Sequence, residues 1–190
     1  MIRLIAALGN PGPEYRFSRH NIAWQMIEYL SFYNDLKWQQ KFKGLFSETY
    51  LLGEKIFIIK PDTFMNRSGL SIASAASFYK LKIEEIAIIH DDLELDFGII
   101  GFKKGGGLGG HNGLRSVTAS LGTKDFNRFR LGISRPSHSD ITSYVLGNFN
   151  KDESAVLPTI LEKGAELFEE NLEEDFNDLY KKYRKEKVLP

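Results

Sequence analysis

The stretch that most constrains this chain is a near-continuous apolar run at residues 2–8, broken at once by Gly9-Asn10-Pro11-Gly12-Pro13. A short run of this kind reads as a buried strand. Two glycines and two prolines within five residues forbid regular structure, so the chain must turn sharply where the strand ends. A helical pattern follows, with Ile22, Ala23, Met26, Ile27 and Leu30 on one face. In an open α/β sheet, that end of a strand is where ligands bind. His20 falls at the start of the helix, between Arg19 and Asn21. An imidazole there is a candidate proton carrier, because its ordinary pKa lies near neutrality. A lone histidine that merely begins a helix would look the same, so other segments must decide.

The remaining segments set the fold class. A hairpin is expected from strands at 45–52 and 55–60 around Gly53-Glu54, after a helix at 20–33. Pro61 opens a loop over 61–69, which leads into an Ala- and Ser-rich helix at 70–79. Residues 85–90 form an apolar run of the buried parallel-strand type that delivers His90, Asp91 and Asp92 at its end. A strand at 98–103 precedes the glycine-rich run 105–113, and a helix at 114–121 is stopped by Gly122. The alternation Arg128, Phe129, Arg130, Leu131 predicts a half-exposed strand over 128–134 with its arginines outward. A short helix at 140–146 and two helical patterns between 152 and 185 complete the chain, with Pro158 starting or kinking the first. The expectation is one α/β domain spanning 1–190, with a mixed, mostly parallel sheet flanked by helices.

A chain of 190 residues that is 42% hydrophobic and 13% aromatic can bury a real core. Its 25 basic and 25 acidic residues cancel, which hides an uneven distribution. Between residues 101 and 135, seven Lys and Arg face Asp125 alone; from 151 onward, eleven Asp and Glu outnumber seven Lys and Arg. A basic centre of this kind suits phosphates. The lack of cysteine excludes disulfides and thiolate metal sites. No apolar run approaches the ~18 residues of a membrane span, and the N-terminus lacks a signal-peptide layout. The expectation is a soluble, cytoplasmic protein with no membrane partner.

Four loops carry the polar residues: 9–21, 61–69, 90–92 and 105–113. Gathered at one sheet edge, they would bring together His20, Asp91, Asn10, Asn66 and Asn112. A histidine oriented by a carboxylate is the base–orienter pair of hydrolytic sites, and asparagines can donate to an oxyanion or hold a water. With no cysteine and no GxSxG elbow, water is the expected attacking group. Asp91 and Asp92 also fit ordinary turn capping. His90, His111 and Asp91 match no familiar metal spacing, so no metal is expected, and His138 in its Ser/Pro/Asp loop reads as solvated. Six glycines in the nine positions 105–113 cost backbone entropy that packing does not explain. Such a loop lets a phosphate or sugar approach its N–H groups, yet it is neither a Walker A loop nor a dinucleotide fingerprint. With Lys103, Lys104, Arg115, Arg128 and Arg130 around it, a polyphosphate chain is favoured over a small anion. A solvated basic loop is the plainer alternative.

Four motifs stand in order: Gly-Asn-Pro-Gly-x-x-Tyr-x-x-x-Arg-His-Asn at 9–21, Thr-Phe-Met-Asn-x-Ser-Gly at 63–69, His-Asp-Asp-Leu at 90–93, and Gly-Gly-Gly-x-Gly-Gly-His-Asn-Gly-Leu at 105–114. In these the chain resembles the bacterial peptidyl-tRNA hydrolases, over essentially its whole length. It departs from them at Ala7 and Ala23, where Gly is usual, at Ser18 in place of Thr, and at Glu94-Leu95-Asp96-Phe97 in place of Asp-Leu-Pro-x. None of these is a residue expected to be catalytic. The resemblance implies a monomeric, phosphorylase/hydrolase-like α/β fold that recycles peptidyl-tRNA lost from the ribosome. The bond cut would be the ester between peptide carboxyl and terminal ribose, without cofactor or metal. It further implies His20 as general base, Asp91 holding its imidazole, and Asn10 touching the peptide. Asn66 and Asn112 would position substrate and water, while Tyr15 and Phe64 wall the peptide side. Lys103, Lys104 and Arg130 are expected to contact tRNA phosphates. A non-catalytic RNA-binding module is the competing reading, and it leaves the histidine, aspartate and asparagines without a purpose. A phosphotransfer enzyme would lack its metal and Walker features.

Overall fold

The computed structural model describes residues 1–137 and 140–189, so the expectation for His138 lies outside the described residues. The apolar run forms strand β1 (Leu4–Ala7), every residue of it buried. A single 3-10 turn, Arg19–Asn21, leads into helix α1 (Ile22–Ile27). Strands β2 (Gln39–Lys41), β3 (Gly44–Leu51) and β4 (Glu54–Pro61) follow, then α2 (Ser68–Phe78) and β5 (Ile86–Asp92). Next come β6 (Ile99–Lys104), α3 (Asn112–Leu121), β7 (Asn127–Gly132) and α4 (Ile141–Leu146). The chain closes with α5 (Lys151–Glu170), α6 (Phe176–Lys182) and β8 (Glu186–Lys187).

One eight-stranded sheet holds all the strands in the order β2-β3-β4-β1-β5-β7-β6-β8. Strand β1 lies between β4 and β5, with Ile5 opposite Ile58 on one side and Ala87 on the other. The sheet is mixed, as expected, but parallel pairing is the minority. It is confined to the centre (β4-β1-β5-β7), whereas β2-β3, β3-β4, β7-β6 and β6-β8 are antiparallel. Short strands without an apolar run, such as β2 and β8, left no mark in the sequence, and they extend the antiparallel flanks.

Alternation along β1 explains the two cores. Ile5 and Ala7 point to the face covered by α1 and α5, with Phe129 and Phe168. Leu4, Ala6 and Leu8 point to the other face, under α2 and α3, with Phe57 and Val117. Burial on both faces is why the central strands read as unbroken apolar runs. Small residues bring α2 and α3 together: a Cβ on Gly69 would lie 2.1 Å from the Ser116 carbonyl oxygen.

Two local expectations are corrected. The helix predicted over 20–33 ends as α1 at Ile27: the N–H groups of Glu28, Tyr29 and Leu30 turn to carbonyls three residues back, and the Ser31 N–H goes to the Glu169 carboxylate of α5 at 3.0 Å. The arginines of β7 do not point outward to solvent: Arg128 is 1% and Arg130 6% exposed. Each is buried with partners that no sequence pattern announces, main-chain carbonyls and Asp92.

Candidate active site

The four polar loops converge at the C-terminal ends of β1, β4 and β5, where they line a cleft of about 770 Å³. At its floor, the His20 Nδ1 lies 2.9 Å from each carboxylate oxygen of Asp91. The ring is placed by the turn before α1, and the carboxylate by the end of β5. Burial works against a charge on His20, but the negative charge and hydrogen bond of Asp91 outweigh it and raise its pKa above 6.5. With Nδ1–H donated to Asp91, Nε2 is left as a lone-pair acceptor without a protein partner among the described residues.

A second imidazole shares the same carboxylate. The His111 Nε2 donates to Asp91 Oδ1 at 2.9 Å. Its Nδ1 accepts from the N–H groups of Gly113 at 3.1 Å and Leu114 at 3.3 Å, which makes His111 the N-cap of α3. Those two donors fix the tautomer, since a nitrogen that accepts from the backbone cannot carry the hydrogen. Burial alone would raise the Asp91 pKa; the charges and hydrogen bonds of the two histidines override it and hold the carboxyl far below the usual range. His90 stays out of this pairing. Its Nδ1 donates to the Asp91 carbonyl at 2.6 Å, and burial keeps its pKa well below the ordinary imidazole value.

Asn10 is pinned from several sides. Its N–H donates to Asn21 Oδ1 at 2.8 Å, and its carbonyl accepts from Asn21 Nδ2 at 2.9 Å. The Asn10 Oδ1 accepts the Met65 N–H at 2.7 Å, which ties the first loop to the second. That leaves the Asn10 amide N–H groups for the cleft. Asn66 and Asn112 are exposed on its rim, with Asn112 Oδ1 accepting from Arg115. Tyr15 and Phe64 also line the cleft, Phe64 with 58% of its surface open.

The basic residues separate into three roles. Lys103 lines the cleft, half-buried, and burial together with the neighbouring Arg128 and Arg130 charges lowers its pKa. Lys104 is exposed and lies outside the cleft lining. Arg130 lines the cleft while it pairs with Asp92 at 3.4 Å and donates to the Arg184 carbonyl at 2.7 Å.

His20, Asp91 and His111 offer ligand atoms within 4.8 Å of one another, which is close enough to hold a cation. Both histidines already donate a ring hydrogen to Asp91, so a metal bound through those nitrogens would have to displace it.

Sequence reasoning missed two parts of the site. It treated His111 only as a metal candidate, although a polar residue directly before a helix and after a glycine run is in N-cap position. It also left out α4, whose Ile141, Val145 and Leu146 form an apolar wall of the cleft. Arg19 anchors that wall beside His20. Its guanidinium lies 4.2 Å from the centre of the Tyr144 ring and pairs with Glu153 at 2.6 Å.

A carboxylate-held imidazole opening into a cleft of mixed polar and apolar lining, at the C-terminal ends of central parallel strands, is the arrangement of a hydrolytic enzyme. Comparison with known proteins makes the class specific. Residues 4–189 match the family model described as peptidyl-tRNA hydrolase. The peptidyl-tRNA hydrolase of Geotalea daltonii is 46% identical over 88% of both chains. That of Geotalea uraniireducens is 41% identical over 99% of both. A crystal structure of the Acinetobacter baumannii peptidyl-tRNA hydrolase superposes with a TM-score of 0.81 at 34% identity, over 94% of each chain. The chain belongs to the peptidyl-tRNA hydrolase family.

Proposed function

We propose that the protein cleaves the ester between a peptide's carboxyl and the terminal ribose of tRNA, with His20 taking the proton of the attacking water. The observation that carries this reading is the orientation of His20: Nδ1 is committed to Asp91 at 2.9 Å, and Nε2 is free toward the cleft. Water attacks the ester carbonyl as Nε2 accepts its proton, and Asp91 stabilises the imidazolium that forms. The same proton then quenches the departing ribose oxygen. General-base help of this kind is worth roughly 10²–10⁴ in rate.

The free amide of Asn10 reaches the peptide and the carbonyl under attack. Asn66 and Asn112 position substrate and water from the rim, while Tyr15 and Phe64 wall the peptide side. A well-placed oxyanion donor contributes about 10²–10³. Lys103 stands directly opposite Arg128 in the β6–β7 pair, and like charges so placed repel. An anion relieves that repulsion, which supports Lys103, Lys104 and Arg130 as tRNA phosphate contacts. The protein works as a monomer in the cytoplasm, one folding unit over 1–190, and returns tRNA from prematurely released peptidyl-tRNA. The chemistry requires no metal, because one proton suffices for the leaving alkoxide.

The test is release of tRNA from N-acetyl-aminoacyl-tRNA in the presence of EDTA. Wild type should turn over, and His20→Ala should bind tRNA without cleaving it. Turnover retained by the variant would remove His20 as the base. No release by wild type, with tRNA still bound, would favour a binding module.

A further inference from the structure

The glycine-rich loop between β6 and α3 carries His111 and Asn112 into the site, yet it has little of its own to hold it. Gly105, Gly106, Gly109 and Gly110 all have positive φ, and Leu108 is its one large apolar anchor. At the loop's two ends, the Gly105 N–H bonds the Phe126 carbonyl at 3.3 Å and the His111 N–H bonds the Leu108 carbonyl at 3.0 Å. Between them, the only polar attachment to the rest of the fold among the described residues is one side chain, Arg128. Its Nη1 donates to the Gly107 carbonyl at 2.8 Å, and its Nη2 to the carbonyls of Gly106 and Lys124, both at 3.3 Å.

Arg128 is an unusual residue to find there. It is 1% exposed, and no carboxylate lies within ion-pair distance of it among the described residues. Its guanidinium rests 5.0 Å from the centre of the Phe126 ring. Burying a charge that only the more distant Asp92 and Asp125 favour is costly, and a buried aliphatic residue would serve the sheet without that cost. The planar fork gives something an aliphatic side chain cannot. It reaches carbonyls on two separate segments at once and holds the loop at a fixed height over β7.

We infer that Arg128 is the positioning residue of this active site, acting through the glycine-rich loop on His111 and through His111 on the Asp91–His20 pair. Arg128 also lines the cleft, but its guanidinium is committed to the carbonyls of Gly106, Gly107 and Lys124 and bonds neither His20 nor Asp91. Without it, residues 106–110 lose their polar attachment to the fold, and His111 is held against Asp91 only by its own 2.9 Å bond and its capping of α3. The inference rests on the reading that His20 and Asp91 perform the chemistry.

Two measurements test it, and the first does not depend on turnover. In Arg128→Met, exchange of the loop's two bonded amides, Gly105 and His111, should speed up at least ten-fold while the central strands β1 and β5 keep their protection. In the same variant kcat should fall about ten-fold or more. The loss should nearly vanish when Arg128→Met is made in a His111→Ala background, because the pathway is already cut there. Arg128→Lys keeps the charge and the stem but not the fork, and guards against a failure to fold. It should show the same exchange signature and the same non-additivity. Unchanged loop exchange in Arg128→Lys, or losses that multiply in full with His111→Ala, would overturn the inference. Should His20→Ala stay active, the mechanism falls, while the exchange result still reports whether Arg128 fastens the loop.

Discussion

At Asp91 one carboxylate serves two imidazoles, each bonded at 2.9 Å, and this division of labour sets the pH behaviour. Because Asp91 raises the His20 pKa above 6.5, the neutral, proton-accepting form accumulates only above that value. The acid limb of kcat/KM should therefore rise with pH and level off later than an unperturbed histidine would allow. Asp91→Asn removes the charge and the carboxylate acceptor that raise His20, and leaves burial, which lowers it. The limb should move to lower pH while the plateau drops about 10²–10⁴-fold, as the tautomer is no longer enforced. A pH–rate series on both proteins checks this; a limb that stays put or moves upward would contradict the assignment. The His20–Asp91 pair was legible in the sequence because both residues sit at the ends of strongly apolar strands. His111 was less so, since its role depends on a cap and a carboxylate 20 residues away.

Among the elements, the contact of α2 with α3 is the least forgiving. Gly69 N donates to Ser116 Oγ at 3.0 Å, and a methyl group there would collide with the Ser116 carbonyl. Gly69→Ala should cost about 1–3 kcal/mol, the usual range for overpacking, read as a lower urea midpoint at unchanged slope. An unaltered midpoint would mean that α2 slides freely over α3. The helices and central strands were readable because each is long or apolar enough to impose its period. The β7 arginines were not, for a physical reason. Alternating Arg and apolar residues look alike whether the polar face meets water or meets buried carbonyls, and only the partners tell the two apart. The turn that follows α1 is fastened by a partner equally remote in sequence, since Glu169, which takes the Ser31 N–H, is 138 residues away.

Over the whole molecule, charge is segregated between a basic cleft side and an acidic segment from residue 151 onward. Binding of tRNA should weaken steeply with salt, and replacing Lys103 and Lys104 together should reduce the slope of log K against log salt by about 1.4–1.8. Titrations of the His20→Ala protein at several ionic strengths would show it; an unchanged slope would place the phosphates elsewhere. The topology has a consequence of another kind. Both neighbours of β1, β4 and β5, lie downstream of it, and the His20–Asp91 bond spans 71 residues. A chain growing from its N-terminus therefore makes His20, the proposed base, first and has nothing to orient its ring until β5 has left the ribosome. Through that interval the nascent chain is itself a peptide esterified to tRNA, an instance of the bond the finished protein cuts. Until β5 is available the imidazole and its carboxylate cannot meet, so the early nascent polypeptide holds no paired His20 to act on such bonds, its own included.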